Sequence, residues 1–426
     1  MLRRSFFAVC LVVLAIAGCK INTINYFPPH PAQVRVLNLI PGSGGVDVQV
    51  AGQVAFTNVA FQTATGYQTY DNQTTQFTVT FTGTTTTIGS FAFPLGGEQP
   101  YTLVVYGTTT SPLMTMVAEV ASAPTNGNVQ FSVFNAAQNS PSVDLYLTAP
   151  GADISTLNPN FASVSFSGTS FNLAFSPGTY QIQATLAGTK TVVYDSGGTV
   201  YTPNIALSFI MYAVGSGTLV NAAVLQSKGP YTTLNTIFSR LKAVNASPGT
   251  GNVDMLQGNV SMIQGVLYPS GSLYTKTATG PTTVNFQASA TPGTIIASAP
   301  GNLAPATDTT AVVAGSPGAT SAFLLQDFNI LPPSGGDRLR FVNASSGSNP
   351  VNASITGTQV ATNIAFGTAS AYVSTGAATV ELTFTDAVTG AVLATQPGIV
   401  LTANQTSSVY LVGPPGAQGV MVTQDY

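Results

Sequence analysis

The chain has 426 residues, of which only 6% are charged and 44% are hydrophobic, whereas about 25% of residues are charged in typical soluble domains. Disordered chains are rich in charge and poor in β-branched and aromatic residues, so this composition excludes a largely disordered protein. The formal net charge of −3 comes without a basic cluster. It therefore argues against nucleic acid as a partner and against electrostatic attraction to anionic lipid headgroups.

Residues 1–18 resemble the signal peptide of a bacterial lipoprotein. Two arginines precede an apolar stretch at 5–16, which is too short to cross about 30 Å of hydrocarbon as a helix. The leader runs into the sequence IAGC at 16–19, which resembles a lipobox. That resemblance implies cleavage before Cys19, followed by lipidation of its thiol and of its new amine. The alternative is an ordinary secretory leader with a chance cysteine.

The lipid implied by this resemblance makes a membrane the first expected partner, because buried acyl chains give stable anchoring. Lys20 follows the cysteine, and a residue other than Asp at that place favours the outer membrane or cell surface as the destination. Residues 19–32 form a Pro-rich tether, a composition typical of extended segments. Cys10 belongs to the leader, so the mature chain can form no intramolecular disulfide.

One sequence motif, which we call the phrase, occurs four times after the tether. An apolar run ends in Asn, a turn rich in Pro, Gly and Ser follows, and a second alternating run opens on Val and then Asp or Asn. Nine positions separate the two polar anchors in every copy, which are Asn38 and Asp47, Asn135 and Asp144, Asn245 and Asp254, and Asn343 and Asn352. A fixed phrase of this kind predicts four copies of one module.

The spacing of the phrase indicates the size and the class of the module. Successive Asn anchors lie 97, 110 and 98 residues apart, close to the ~100 residues of an immunoglobulin-like sandwich. Period-two alternation in each copy predicts strands with one buried face and one solvated face. We therefore expect an all-β fold, a tandem array of four Ig-like antiparallel β-sandwich modules after the signal peptide. The expected modules are module 1 (33–122), module 2 (128–227), module 3 (237–328) and module 4 (337–426).

Two further patterns refine this organisation. The junctions between modules are short and rich in Pro and Gly, which favours beads on a string with limited hinging. A second signature places Tyr67, Tyr274 and Tyr372 at equivalent positions of modules 1, 3 and 4. Module 2 is about eight residues longer than the others, and its loop at 148–160 is the expected place of the insertion.

The phrase VRVLNLIPGSGGVDVQVAG, with the later FQTATGY, SPGTY and FGTASAYVS, resembles the bacterial family known as domain of unknown function 4397. The usual phrase of that family is close to V-R-V-x-H-A-S-P-x-x-P-x-V-D-V. Asn replaces its His in all four modules, and Asn352 replaces its Asp in module 4, so any role that needs the imidazole is absent. The resemblance implies a secreted or lipid-anchored β-sandwich without an established activity.

The inventory of reactive side chains argues against an enzyme. His30 is the only histidine and lies in the tether, so no histidine-based triad or zinc site can be assembled. Cys19 is assigned to lipid, and the fourteen acidic residues are scattered singly, without a recognisable carboxylate pair. We expect no catalytic residue, no metal and no cofactor.

The repeated polar residues have structural interpretations beside functional ones. The Asp of the phrase is a candidate calcium ligand, but it more simply accepts backbone N–H groups where the second strand begins. The Asn anchor is expected to bond the backbone of the turn, where an αL conformation suits it. Arg35 and Lys242 are hypothesised to form surface ion pairs with Asp47 and Asp254. The repeated tyrosines are expected in the core or at corners, with sugar stacking as the alternative.

The sequence favours a non-enzymatic envelope protein, a surface scaffold or adhesion module that contacts a protein or glycan of unknown identity. The alternative is a carbohydrate- or solute-binding lipoprotein that serves an uptake system. An open groove lined by Tyr and amide side chains would favour the second reading. The oligomeric state and the ligand are left open by the sequence.

Overall fold

The structure, a computed structural model, describes residues 30–215, 217–330, 332 and 336–425. The leader, Cys19 and nearly all of the tether lie outside the described residues. The described chain forms 35 β-strands and no helix, which confirms the all-β prediction. Accordingly, none of its described segments is a helix of the length and hydropathy needed to cross a membrane.

Modules 1 and 2 contain nine strands each. Those of module 1 are β1 (Ala32–Asn38), β2 (Val46–Val50), β3 (Gln53–Val59), β4 (Thr63–Ala64), β5 (Gln68–Tyr70), β6 (Thr74–Phe81), β7 (Thr87–Pro94), β8 (Pro100–Gly107) and β9 (Pro112–Ala118). Those of module 2 are β10 (Val129–Ala136), β11 (Ser142–Thr148), β12 (Phe161–Ser165), β13 (Thr169–Phe175), β14 (Gly178–Leu186), β15 (Val192–Tyr201), β16 (Ile205–Ala213), β17 (Val220–Gln226) and β18 (Tyr231–Leu234). β18 follows residue 227, the expected end of the module, and is counted with module 2 because it pairs with β17.

Modules 3 and 4 contain nine and eight strands, respectively. Those of module 3 are β19 (Phe238–Ala246), β20 (Val253–Gln257), β21 (Val260–Val266), β22 (Ser270–Gly271), β23 (Thr275–Ala278), β24 (Gly280–Ala288), β25 (Ile295–Leu303), β26 (Asp308–Ser316) and β27 (Ala319–Asp327). Those of module 4 are β28 (Gly336–Asn343), β29 (Val351–Ile355), β30 (Thr358–Ile364), β31 (Val373–Gly376), β32 (Thr379–Asp386), β33 (Val392–Val400), β34 (Gln405–Val412) and β35 (Gly419–Gln424).

Each module is built from two sheets. The first-strand sheet contains the strand that ends in the Asn anchor, in the orders β4-β1-β8-β9 with β5 also on β1, β13-β10-β16-β17-β18, β22-β19-β26-β27 with β23 also on β19, and β31-β28-β34-β35. The second-strand sheet contains the strand that carries the Asp or Asn, in the orders β3-β2-β6-β7, β12-β11-β14-β15, β21-β20-β24-β25 and β30-β29-β32-β33.

The pairing is antiparallel except at one place in each module. The first strand lies parallel to the penultimate long strand, as β1 does to β8, β10 to β16, β19 to β26 and β28 to β34. Arg35, for example, is in register with Thr102. The alternation pattern of single strands does not encode this parallel pair, because it joins segments that are far apart in the chain.

The core of each module lies between its two sheets. In module 1 it contains Val34 and Leu103 from the first-strand sheet and Val48 and Phe77 from the second-strand sheet, each 0% exposed. Every second residue of these strands points inward, as the period-two pattern predicts. Equivalent clusters fill modules 2, 3 and 4.

The modules are packed in pairs, so the expectation of beads on a string is wrong. The residues that flank the Asn anchor, such as Leu37 in module 1 and Phe134 in module 2, belong to one apolar cluster that spans both modules. Val244 of module 3 and Val342 of module 4 share a second cluster of the same kind. The first-strand sheets are therefore buried on both faces, one against the core and one against the partner module. This packing of modules in pairs is favoured because burial of apolar area stabilises a fold by about 25 cal/mol per Å².

Candidate functional site

The four Asn anchors are fully buried and tie three segments of each module together. In module 3 the side-chain amide of Asn245 donates to the carbonyls of Gly251 and Val266 at 2.9 and 3.1 Å, and its oxygen accepts the Ser247 N–H at 3.1 Å. Equivalent bonds occur at Asn38, Asn135 and Asn343. Each anchor lies at or near the end of its first strand and is absent from the residues with positive φ. The αL conformation expected from the sequence is therefore not adopted.

The second polar residue of the phrase accepts a backbone N–H from the neighbouring strand. Asp47 accepts the Asn58 N–H at 2.7 Å, and Asn352 accepts the Asn363 N–H at 2.9 Å. Asn58 and Asn363 have φ values of 50° and 55°, so each acceptor secures a backbone turned into the left-handed region. The amide oxygen of Asn352 accepts the same backbone N–H as the carboxylate of Asp47, which explains how module 4 keeps this turn with Asn at this position.

Modules 2 and 3 use the same device. Asp144 accepts from the Ser163 N–H and Asp254 from the Gly265 N–H, at 2.7 and 2.9 Å. Ser163 follows its acceptor by 19 residues, whereas the distance in the other modules is 11. The extra residues precede β12, within the 148–160 loop that the sequence singled out. In the described part of the chain, no group of three or more His, Cys, Asp or Glu side chains is arranged to hold a metal ion.

The basic residues of the first strands are buried, so the hypothesis of surface ion pairs is wrong. Arg35 is 2% exposed and pairs with Glu119 at 2.9 Å rather than with Asp47. Lys242 is 1% exposed and pairs with Asp425 rather than with Asp254. The true partners follow the last strand of a module, a position that alternation alone does not connect with the first strand.

Modules 3 and 4 exchange these charges across their interface. Lys242 of module 3 binds Asp425 of module 4, while Arg340 of module 4 binds Asp327 of module 3. All four side chains are at most 2% exposed. Thr310 also donates to Asp327, at 2.7 Å. Breaking one such buried pair typically costs 3–5 kcal/mol, because the remaining charge has no partner.

The contact between modules 1 and 2 is a reduced version of the same arrangement. Module 1 supplies both charges, Arg35 and Glu119, and module 2 has Ser132 and Ser227 at the equivalent places. Arg35 still reaches across, since it donates to the carbonyls of Gln226 and Gly229 at 3.1 and 2.9 Å. The ion pair at this contact therefore lies within module 1, and Arg35 joins the two modules through hydrogen bonds to backbone carbonyls.

The repeated tyrosines lie against these cations instead of lining an open groove. The Tyr67 ring is 4.5 Å from the Arg35 guanidinium, and the Tyr274 ring is 5.2 Å from the Lys242 ammonium. Tyr67 donates to Glu119 and Tyr274 to Asp327. Burial and the neighbouring carboxylates raise the pKa of both hydroxyls, so both remain protonated donors.

The two cations of the module 3 and 4 interface, Lys242 and Arg340, are held in their ionised forms. Burial alone would lower the pKa of Lys242, but the Asp425 carboxylate reverses this and leaves the pKa raised. The same balance, with Asp327 as the main partner, raises the pKa of Arg340. The arrangement is suited to joining modules, because each of these buried charges has its counter-charge.

Sequence reasoning missed the acidic halves of these pairs, although a signal for them exists. Glu119 follows Arg35 by 84 residues, and Asp327 and Asp425 follow Lys242 and Arg340 by 85 residues each. Such a constant separation of base and acid marks the first strand and the end of the last strand of a module. It does not reveal that modules 3 and 4 exchange partners.

Comparison with known families agrees with this repeated architecture. The sequence model of the domain of unknown function DUF4397 matches residues 32–146, 239–354 and 337–426, which together span more than half of the chain. The chain belongs to this family. The matched segments cover modules 1, 3 and 4 and the beginning of module 2, so most of module 2 is the divergent copy.

Comparisons with individual proteins add little to the DUF4397 assignment. No curated protein matches the chain significantly. A crystal structure of a candidate cell adhesion protein from Bacteroides uniformis is 9% identical, covering 48% of this chain and 99% of that one with a TM-score of 0.20. The multi-modular glycogen-degrading pneumococcal virulence factor SpuA is 7% identical, covering 85% of this chain and 37% of that one with a TM-score of 0.18. At these TM-scores neither likeness supports a conclusion about function.

Proposed function

We propose that this DUF4397 protein is a non-enzymatic, lipid-anchored scaffold of the cell envelope. The observation that supports this role best is the exchange of buried charges between modules 3 and 4. Such an interface makes two sandwiches one rigid body, whereas modules joined only by short linkers would hinge. A stiff array on a lipid anchor is suited to holding a binding surface at a fixed distance from a membrane.

The chemistry of the described residues is compatible with a structural role. The charges buried most deeply between modules pair with one another: Lys242 with Asp425 and Arg340 with Asp327. The single histidine, His30, is exposed and bonded to Glu98 at 2.6 Å. The proposed contacts with envelope protein or glycan are therefore assigned to loops and clefts on the outside of the module pairs.

The lipid anchor is tested by labelling with a radioactive fatty acid in a bacterial host. Wild type and the variant Cys10→Ala are expected to incorporate label and to sediment with membranes. Cys19→Ala is expected to incorporate none. Cys10→Ala is the matched control, because it removes the other cysteine of the leader. Equal labelling of Cys19→Ala and wild type would contradict the proposed anchor.

The scaffold role makes a separate prediction about exposure and rigidity. Protease added to intact cells is expected to degrade the protein. Limited proteolysis of the purified chain is expected to spare the junction at 122–128, because modules 1 and 2 are packed together. Complete protection on intact cells would exclude a surface role. Rapid cleavage at 122–128 would show that modules 1 and 2 hinge and would exclude a rigid scaffold.

A further inference from the structure

A cleft of about 220 Å³ lies where module 1, the segment after β27 and module 4 meet. Its lining comes from Pro41, Gly42, Thr109 and Thr110 of module 1, from Phe328 and Ile330, and from Arg338 and Ser374 of module 4. Gly42 has a φ of +74°, and a side chain there would come within 3.1 Å of the Phe328 ring. This glycine thus permits the close approach that forms the cleft.

Arg338 of this cleft differs from its counterpart in module 3. Arg240 is in register with Asp308 on the neighbouring parallel strand and forms a bidentate ion pair with it, at 2.6 and 2.7 Å. Arg338 is in register with Thr406 instead. Module 4 therefore has the guanidinium of module 3 without its carboxylate.

The remaining contacts of Arg338 leave much of its guanidinium available. Its Nη1 donates to the carbonyls of Phe328 and Ile330 at 3.2 and 2.9 Å, and its plane lies 4.7 Å from the Tyr372 ring. Among the described residues it has no ion-pair partner. Asp337 precedes it on β28, but alternation along the strand directs that carboxyl to the other face. The Nε and Nη2 donors remain suited to bidentate binding of a carboxylate.

The other walls of the cleft indicate what carries that carboxylate. Ser374 is directly opposite Arg338 on β31, and Thr109 and Thr110 add hydroxyl groups from module 1. The Phe328 ring is 38% exposed and offers an apolar surface. The volume is below the ~300–1,000 Å³ of pockets for drug-sized ligands. A guanidinium, hydroxyls and an aromatic ring around so small a space suit one sugar ring with a carboxylate.

We propose that this cleft binds an acidic sugar of the uronic acid type, with its carboxylate on Arg338. The sugar hydroxyls bond Ser374 and Thr109, and the apolar face of the ring lies on Phe328. An acidic peptide fits less well, because an extended chain needs a longer groove and a partner for its backbone. The cleft is expected to bind the sugar in the purified chain in solution, so the binding test does not depend on the proposed lipid anchor.

Titration of the full chain with glucuronate, followed by ligand-observed NMR, tests the site. Wild type is expected to bind glucuronate at least about tenfold more tightly than glucose, because hydrogen bonds to a charged group contribute roughly 1.5–3 kcal/mol. Acetate, which lacks the ring, is expected to bind at least about tenfold more weakly as well. Added salt should weaken glucuronate binding, since the contact is partly exposed.

Two variants remove the charge in different ways. Arg338→Gln deletes it, and Thr406→Asp installs the partner that Asp308 provides in module 3. Both are expected to lower the affinity for glucuronate at least about tenfold, whereas Lys228→Gln, an equal loss of charge outside the cleft, should leave it unchanged. Absence of glucuronate binding by wild type, or equal binding by Arg338→Gln, would overturn the proposal. Equal affinity for acetate and glucuronate would overturn the assignment to a sugar.

Discussion

The ammonium group of Lys242 in module 3 is paired with the carboxylate of Asp425 in module 4, and the two side chains are 1% and 0% exposed. The residues are 183 positions apart. Together with the reciprocal pair of Arg340 and Asp327, this contact makes the interface between modules 3 and 4 specific for that combination.

Removal of Asp425 is expected to destabilise the pair of modules severely. Asp425→Ala leaves Lys242 buried without a counter-charge, so we expect a loss of about 3–5 kcal/mol in the free energy of unfolding. The double variant Lys242→Met/Asp425→Ala should recover part of this loss, because no charge is then stranded. Urea denaturation followed by tyrosine fluorescence measures both effects.

The exposed pair of His30 and Glu98 provides the matched control for that experiment. Their side chains are 51% and 69% exposed, and pairs of this kind contribute about 0–1 kcal/mol. Glu98→Gln is therefore expected to change the urea midpoint very little. A loss for Asp425→Ala no larger than that for Glu98→Gln would contradict the buried interface.

Substitution of an Asn anchor is expected to destabilise its own module. Asn245→Ala leaves the carbonyls of Gly251 and Val266 and the N–H of Ser247 without partners. Each buried unsatisfied group costs about 1–3 kcal/mol, so the total is expected to exceed about 3 kcal/mol. Thermal unfolding monitored by circular dichroism measures it, and a melting temperature within one degree of wild type would disprove the role of the anchor.

The second polar residue of the phrase is expected to need an acceptor oxygen and no charge. Asp47→Asn should retain the bond to the Asn58 N–H and stay within about 0.5 kcal/mol of wild type, as Asn352 does naturally. Asp47→Ala should lose about 1–2 kcal/mol. Addition of a chelator should leave the melting temperature unchanged. A drop after chelation, restored by calcium, would show that Asp47 and its equivalents bind metal.

Asp337 is expected to make stability depend on pH. Burial raises its pKa to about 6, and one of its oxygens has no hydrogen-bond partner among the described residues. The folded state therefore binds the proton more tightly than the unfolded state, where the pKa is about 3.9. The contribution of Asp337 to stability is therefore greatest below about pH 4 and is lost as the pH rises through about 6.

The variant Asp337→Asn isolates this effect. The melting temperature of the variant relative to wild type is expected to increase between pH 4 and pH 6 and then to level off. The total gain is at most about 3 kcal/mol, since one pKa unit corresponds to about 1.36 kcal/mol. A difference that is constant over this range would show that Asp337 titrates normally.

The sequence by itself determined the number of modules, their all-β class and the position of the insertion in module 2. These features are encoded in local spacing: nine residues between the two polar anchors, and alternation within single strands. The polar anchors repeat because each satisfies nearby backbone groups, as Asn245 does with Ser247, Gly251 and Val266.

Only the tertiary structure decided what the outer faces of the first-strand sheets contact. An apolar residue beside the anchor, such as Leu37 or Val342, alternates in the same way whether its face meets water or another module. Likewise, the constant separation of base and acid within a module does not show that Lys242 pairs with an acid 183 residues away. Packing between modules 3 and 4 brings Lys242 and Asp425 together, because a buried charge is stable only beside its opposite.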